Sequence, residues 1–559
     1  MMTSAEKTTY KGALAAAMDS GAYIKFVEMH TEMRSEMEAH RQCMFIYWHR
    51  LLLVVFENML RGQGSQYACV TVPYFNWIVA SSRVTSGACT SFGNCLAITR
   101  ELGGFTSGNQ RTLAINGVSN SGRVPSATGY ASVRQQLFNG RNIGQMSPLV
   151  EQGCHNNVHA ALGSTMGTFA SPSDPIFWSH HAMVDLLHTI FHKCRVGTTR
   201  LTFAQKASNS VAWTSCARRN GGVFNPTDGI TMRTGERGVN PISGRSDPLI
   251  GRYFNGVPSQ FAGLMDVRDL GSSSYGYYIS GQVATLYNQC DNAPRSRKLE
   301  EMMEATGAAD PSKCSVTEDG DNGGDYSEGD NESEGTGNGG DYSEGDNESE
   351  GADNGGDYIS PDGTHVDGND LEDGATGYEP ISPDDGHEDV VVVDKGSYTQ
   401  NGSYRPDGSD DAEERVETWY DQTIDAMGGD SHENMADLER QACMYENQCL
   451  GGTQEYSEEF KAIWHVTEPR CKSIVDAINN GSQSIIYESW REDMERNFGC
   501  PQPYADNSTY PSETNSSYPS VDSSTSGSWT STTEEANSND TIKFSDLDNP
   551  PVEATETTW

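Results

Sequence analysis

Apolar side chains recur at helical spacing in four stretches of the first 200 residues. Residues 18–39 read as a helix, with Tyr23, Phe26, Val27 and Met33 on one face. Phe45–Leu60 is almost wholly apolar and carries Glu57 inside it. A third helix is predicted to start near Val150, and a fourth to cover Pro175–Lys193. Gly/Ser/Asn-rich segments such as Thr106–Gly129 separate them and read as loops. The pattern predicts a mainly α chain, a helical bundle with long connections. Further along, Val416, Trp419, Ile424 and Met427, then Phe460, Ile463 and Trp464, then Ile474, Val475 and Ile478 suggest short amphipathic helices. The longest strong apolar run, Leu51–Phe56, is far below the ~20 residues of a membrane span.

Charge divides the chain. Residues 1–300 hold 27 Lys and Arg against 18 Asp and Glu, whereas the remainder holds 11 against 61. The segment Asn322-Gly-Gly-Asp-Tyr-Ser-Glu-Gly-Asp-Asn-Glu-Ser-Glu-Gly335 recurs from Asn338, and a shortened copy begins at Asn354. Between Glu318 and Asp394 there are 26 acidic residues and no Lys or Arg. Such a stretch cannot bury a core and is expected to be disordered. The expected organisation is therefore a folded domain at 1–300, an acidic repetitive linker at 315–411, a small Cys-containing helical module at 412–500 and a Ser/Thr-rich disordered tail at 501–559. Sequons at Asn507, Asn515 and Asn539 suit glycosylation of that tail. The dense carboxylates could hold Ca2+ or a mineral surface weakly, but the plainer and favoured reading is a solvated, self-repelling spacer. No feature points to nucleic acid or a membrane as partner.

Thirteen cysteines suit an oxidising compartment better than the cytosol. Cys89 and Cys95 are close in sequence, and so are Cys443 and Cys449. With Cys471 and Cys500 the last two make a set of four that allows three pairings, among which the sequence does not choose. Secretion is the expectation, although Met1–Lys11 has no hydrophobic signal-peptide core.

The candidate chemistry lies in the histidines, nine of which fall before residue 193. His155 and His159 are four apart, so a helix presents both rings on one side. His180 and His181 follow Asp174-Pro-Ile-Phe-Trp-Ser. Upstream, His40 and His49 lie nine apart, with His30 before them. Imidazole is the commonest neutral ligand for copper, and three imidazoles per ion leave a position open for oxygen; zinc is a minor alternative.

His40, Phe45, Trp48, His49, Arg50 and Glu57 match the copper A signature of the tyrosinase family. Asp174-Pro-Ile-Phe-Trp-Ser-His-His181-Ala-Met-Val-Asp185 matches its copper B signature. Residues 10–290 therefore resemble the tyrosinases, catechol oxidases and molluscan haemocyanins. The resemblance implies two copper ions and dioxygen as co-substrate. Copper A would be held by His30, His40 and His49, and copper B by His155, His159 and His181. His180 would stand behind the ligands. It also implies oxidation of phenols or catechols to o-quinones, with Asn156 and a nearby Glu drawing the proton from a monophenol. Glu151 is the candidate base; its plainer reading is a first-turn carboxylate favoured by the helix dipole. Asp174 reads as a helix cap. Asp185 reads as a carboxylate fixing an imidazole or arginine. Arg50 and Glu57 read as structural contacts, and His188 and His192 as ordinary core or surface histidines.

The sequence departs from the family where Glu38-Ala39 precede His40 without a cysteine, so no thioether bridge is expected; the nearest cysteine is Cys43. It departs again at Leu52 and at Ala160-Ala-Leu-Gly163. A copper domain fused to acidic repeats resembles tyrosinase-like proteins of invertebrate matrices, including shell. That implies a secreted enzyme acting on phenolic or catecholic small molecules or on protein tyrosines, with Tyr326, Tyr342 and Tyr358 as potential crosslinking sites. The competing readings are a non-catalytic acidic matrix protein and a haemocyanin-like oxygen binder.

Overall fold

The computed structural model describes residues 2–102, 123–235, 240–290 and 411–500, with the backbone of three short strands between 391 and 405. The acidic repeats, their tyrosines and the Ser/Thr-rich tail lie outside the described residues. The described chain is mainly helical, as the apolar periodicity predicts.

Two long helices form the centre. In Ile176–Arg195 every residue from Ile176 to His192 is buried, and in Phe45–Arg61 every residue from Phe45 to Phe56 is. A helix buried on all sides needs neighbours on all sides. Phe56 stacks on Trp178 at 3.5 Å between ring centroids, locking the two together. The Trp178 indole donates to the Tyr23 hydroxyl (2.9 Å), which donates to the Pro172 carbonyl (2.8 Å). These bonds tie the Ala22–Thr31 helix to the same centre.

Two predicted helices have different bounds. Residues 18–39 break into Ala22–Thr31 and Met33–Ala39, because Glu32 is extended and its carboxylate caps the amides of Arg34 and Ser35. The helix expected near Val150 begins at Ile143, capped by Asn142. It runs through a π turn, Glu151–His155, into Asn156–Leu162. The π turn is kinked at Gly153, where a Cβ would collide with Gln136. Gln136 accepts the Cys154 amide there (2.7 Å) and donates to the Ala127 carbonyl (2.8 Å). π turns inside α-helices are frequent at functional sites. The capped helix Ser4–Asp19, with its Thr3/Glu6 capping box, has no counterpart in the sequence reading.

After the acidic segment the chain returns to the bundle. Val391–Val393 pairs in parallel with Tyr277–Ile279. The helices Asp411–Ala426, His432–Cys449, Glu458–Trp464, Arg470–Asn479 and Trp490–Phe498 follow. Trp419, Tyr420, Leu438 and Tyr445 enter the same apolar core as the first 290 residues. Glu446, buried, accepts the Ser126 amide (3.3 Å), and Glu413 accepts that of Gln282 (3.2 Å).

Five disulfides are described: Cys43–Cys216, Cys89–Cys95, Cys194–Cys290, Cys443–Cys471 and Cys449–Cys500. Cys443 and Cys449 thus each pair with a distant partner. Helix geometry explains it, because both sit on His432–Cys449 at different turns and face different neighbours. Cys154 is free and buried. No described helix is long and apolar enough to cross a membrane.

Candidate metal centre

The structure gathers the candidate histidines into two groups. His30, His40 and His49 form one; His155, His159, His180 and His181 form the other. Within each group the potential ligand atoms lie within 4.8 Å of one another, and every ring is buried. The groups abut: His49 stacks on His181 at 4.1 Å between centroids and 10° between planes. The six residues read as ligands from the sequence resemblance fall in these two groups, and His180 lies with the second.

Hydrogen bonds orient most of these rings. His30 Nδ1 donates to the Phe169 carbonyl (2.6 Å), His49 Nδ1 to Phe45 (2.9 Å) and His159 Nδ1 to Met166 (2.6 Å). His155 Nδ1 meets both the Glu151 carbonyl (3.2 Å) and Asn156 Oδ1 (2.9 Å). A proton on Nδ1 leaves the Nε2 lone pair free. The Nε2 atoms of His30, His40, His49, His155, His159 and His181 are all buried without a protein partner. Unpaired buried polar atoms on this scale are costly unless something binds them. A divalent ion on each group would satisfy them, so the residues fit a pair of imidazole-bound metals. Burial also holds the rings neutral, as metal ligation requires: His30 is pushed down to about 4, and the others well below the ordinary imidazole range.

Behind the rings lies a set of charged contacts. Arg50, fully buried, donates through Nε to Asp185 Oδ1 (2.6 Å), and through Nη1 to the Leu264 carbonyl (2.9 Å). The hydroxyls of Tyr275 and Tyr277 both donate to Asp185 Oδ2 (2.6 Å each). This ion pair joins the residue after His49 to the residue one turn past His181, so it braces both groups at once. Glu57 accepts the Val72 amide (2.9 Å) and pairs with Arg61 (2.6 Å). Asp174 accepts the Ile176 amide (3.1 Å), as a capping carboxylate does. His188 and His192 are buried in the core.

Glu151 sits in the π turn, preceded by a full helix, so no free helix N-terminus stands behind it. Its Oε1 accepts the amide of Arg41 (2.6 Å), and its Oε2 is buried without a partner. Burial raises this carboxyl to about 8, against the pull of the Arg41 amide. Asn156 is buried beside His155.

Three features gave no sequence signal. Cys43 is bound to Cys216, which brings Arg219 onto Glu36 as a bidentate pair (3.0 and 2.9 Å) four residues before His40. Phe169 packs on His40 at 5.4 Å. Most consequentially, Trp464 of the Glu458–Trp464 helix lies on the histidines. Its ring centroid is 4.9 Å from that of His159, 5.3 Å from His40 and 5.8 Å from His155. The indole donates to the Gly167 carbonyl (2.8 Å), and Phe460 stacks behind it at 5.6 Å. An aromatic lid from the C-terminal helices thus touches both histidine groups.

Residues 20–193 match the family described as "Common central domain of tyrosinase". A tyrosinase of Streptomyces glaucescens is 28% identical over 233 residues, covering 36% of this chain and 84% of the relative. Tyrosinase-like protein 1 of Margaritifera margaritifera is 28% identical over 186 residues, covering 28% of this chain and 36% of the relative. Among solved structures, latent apple tyrosinase aligns at 17% identity and a TM-score of 0.26, over 50% of this chain and 64% of that one. The family match encloses both histidine groups, and over those residues the chain is similar to the tyrosinases.

Proposed function

We propose that this protein is a copper-dependent phenol oxidase that converts catechols, and monophenols where a base assists, to o-quinones. The observation that carries the reading is the pair of abutting buried histidine groups in which the Nε2 atoms of all seven rings, His180 included, lack protein partners. His30, His40 and His49 would hold one copper ion, and His155, His159 and His181 the other. Bound there, the pair would supply the redox chemistry that joins dioxygen to phenol oxidation.

The chain's own residues do the rest. Backbone carbonyls of Phe169, Phe45, Glu151 and Met166 fix the ring orientations. The Arg50–Asp185 pair holds the two central helices in register. Phe169 and Trp464 keep bulk water off the rings. Glu151 is the proton acceptor for a monophenol, and Asn156 is positioned beside the first ligand of the second group. A carboxyl raised to about 8 by burial is, once ionised, a stronger base than an ordinary carboxylate, which suits removal of a phenolic proton. Glu151→Gln keeps an acceptor for the Arg41 amide but removes the base. It should lower tyrosine hydroxylation at least tenfold and leave catechol oxidation within about threefold.

The setting we propose is extracellular, where quinones tan or crosslink a matrix. Five disulfides support an oxidising compartment. The tyrosines recurring within the acidic repeats, Tyr326, Tyr342 and Tyr358, are candidate substrates, and the surrounding carboxylates a candidate Ca2+ or mineral contact. One observation favours a second reading. Trp464 packs on His159, His40 and His155, and rings covered in this way suit a small ligand such as dioxygen better than a phenol, as in a reversible oxygen binder. The test is to load the full chain with copper, measure metal per chain, and follow oxygen-dependent near-ultraviolet absorption alongside oxidation of a catechol and of tyrosine. Two coppers with quinone formation support the oxidase. Reversible absorption without turnover selects the oxygen binder. Fewer than two coppers per chain defeats the site assignment.

A further inference from the structure

A small polar niche outside both histidine groups is lined by Arg50, Thr189, His192, Lys193, Asp266 and Arg268, with Tyr287 beside them. It holds about 20 Å3, room for one occupant of water size. Arg50 comes from Phe45–Arg61, and Thr189, His192 and Lys193 come from Ile176–Arg195. Asp266 and Arg268 follow the short helix Phe261–Leu264.

The lining is cationic. Arg50 bonds Asp185 (2.6 Å), the Leu264 and Met265 carbonyls (2.9 and 3.3 Å) and the Thr189 hydroxyl (3.2 Å). Arg268 holds Asp266 through Nε (3.0 Å) and Nη2 (2.8 Å), and the Thr198 carbonyl through Nη1 (2.6 Å). Neither guanidinium spends all five of its N–H groups on these bonds. Lys193 bonds the Tyr287 carbonyl. Three cations thus face one carboxylate, and with Asp185 counted behind Arg50 one positive charge remains in excess.

His192 supplies a second observation. It is 9% exposed, its ring bonds the Met265 backbone, and its Nε2 is buried without a protein partner. A buried polar atom of this kind calls for an occupant. A metal ion would be repelled by the surrounding cations. Water would satisfy the nitrogen but not the charge. A single-atom anion satisfies both once His192 is protonated, because the Met265 carbonyl takes one ring N–H and the anion the other.

We propose that this niche binds a monovalent anion of chloride size, held by His192, Arg50 and Arg268 and taken up together with a proton on His192. Such an anion would lie against the guanidinium whose pair with Asp185 braces both histidine groups. The proposal needs no metal at those groups, so it stands or falls apart from the reading of that site.

The coupling to pH has a definite sign. Before an anion binds, burial and the charges of Arg50 and Arg268 hold His192 down to about 4, against the pull of Asp266. His188 and Lys193 on its own helix and the Tyr287 phenol are the other titratable groups around it. Above pH 4 binding therefore takes up one proton. Anion affinity should fall about tenfold per pH unit until the bound His192 itself deprotonates.

The test soaks crystals of the full chain in sodium bromide at pH 5 and locates the ion by bromine anomalous scattering. Melting temperatures of the parent and of His192→Phe are read in sodium chloride and in sodium gluconate at equal ionic strength, at pH 5 and 7. The proposal expects a bromide in hydrogen-bond contact with His192 Nε2. It also expects chloride to raise the parent's melting temperature above that in gluconate, more at pH 5 than at pH 7, and His192→Phe to lose that difference. A niche holding only water in the bromide map would overturn the proposal. So would a chloride effect equal at the two pH values or equal in the two proteins. If His192→Phe does not fold, the bromide map of the parent decides alone.

Discussion

Removing the Trp464 ring should release the site. The side chain is 3% exposed and spends its contacts on His40, His155, His159, Phe169 and Phe460. Truncation of a buried Trp to Ala removes about 3–5 kcal/mol of packing, and the bond to the Gly167 carbonyl adds about 1 kcal/mol. If half or more of that sum holds the lid closed rather than stabilising the fold at large, closure is favoured by about 3 kcal/mol. At about 1.4 kcal/mol per decade, the open form is then roughly one molecule in a hundred. Trp464→Ala makes the open form dominant, so kcat/KM for a small catechol should rise about 100-fold. Copper content should stay at two per chain, because Trp464 supplies no ligand. Trp464→Phe keeps a ring but loses the Gly167 bond, and should rise only about fivefold. The assay is initial-rate quinone formation on copper-loaded protein, with metal content measured on the same samples. A Trp464→Ala protein with two coppers and kcat/KM within about threefold of the parent would refute the argument, since the ring would then lie on the histidines without controlling access to them.

Three further outcomes are expected. His49→Ala and His159→Ala should each retain one copper of two, read by metal analysis, because each removes a buried Nε2 from a different group. Asp185→Ala leaves the buried Arg50 guanidinium and two tyrosine hydroxyls without their shared acceptor, and should cost about 3–5 kcal/mol in urea unfolding. The metal-free protein should lose stability as pH falls from about 6.5 toward 4. His30 sits at about 4 when folded and near 6.5 when unfolded, so the unfolded chain binds the extra proton in that window. This single ring contributes about 3 kcal/mol that is fully present above pH 6.5. The raised carboxyls Glu151 and Glu417 (about 8 each) and Glu446 (about 7) oppose it with the reverse sign above pH 4.5, but the eight other buried histidines, all held below the ordinary imidazole range, act in the sense of His30 and outnumber them. Thermal melts of metal-free protein at pH 7, 6, 5 and 4 that are flat would show that the rings are not neutral in the fold.

What could be read in the sequence is what is local. His155 and His159 meet because four residues make one helical turn, and His49 reaches its group because Phe45–Phe56 is apolar enough to be buried on every side. The boundaries were harder, because tertiary contacts set them. The Glu32 break follows from where its carboxylate points, and the π turn from Gln136 pressing on Gly153. Neither has a periodicity to betray it. Trp464 reads in sequence as one more apolar residue of a short amphipathic helix; nothing in its neighbourhood says that it will lie on histidines about 300 residues earlier. The cysteine pairs are similar: Cys43 and Cys216 are 173 residues apart.

Glu151 shows why local reasoning gave two answers, neither of them its most evident contact. A first-turn carboxylate needs a free helix N-terminus, and the helix from Ile143 removes it. A general base needs only a reachable oxygen, and the unpartnered Oε2 meets that need. Yet the same residue also binds both halves of the site: its Oε1 holds the amide of Arg41, next to His40, and its carbonyl holds the Nδ1 of His155. Arg41 has a φ of 60°, a left-handed conformation unfavourable for arginine, so something must compensate it. The carboxylate bond does so, and it thereby sets the backbone entering the first group against the π turn leading to the second. The spacing of the two groups is accordingly a property of one side chain and one kinked turn as well as of the two long helices.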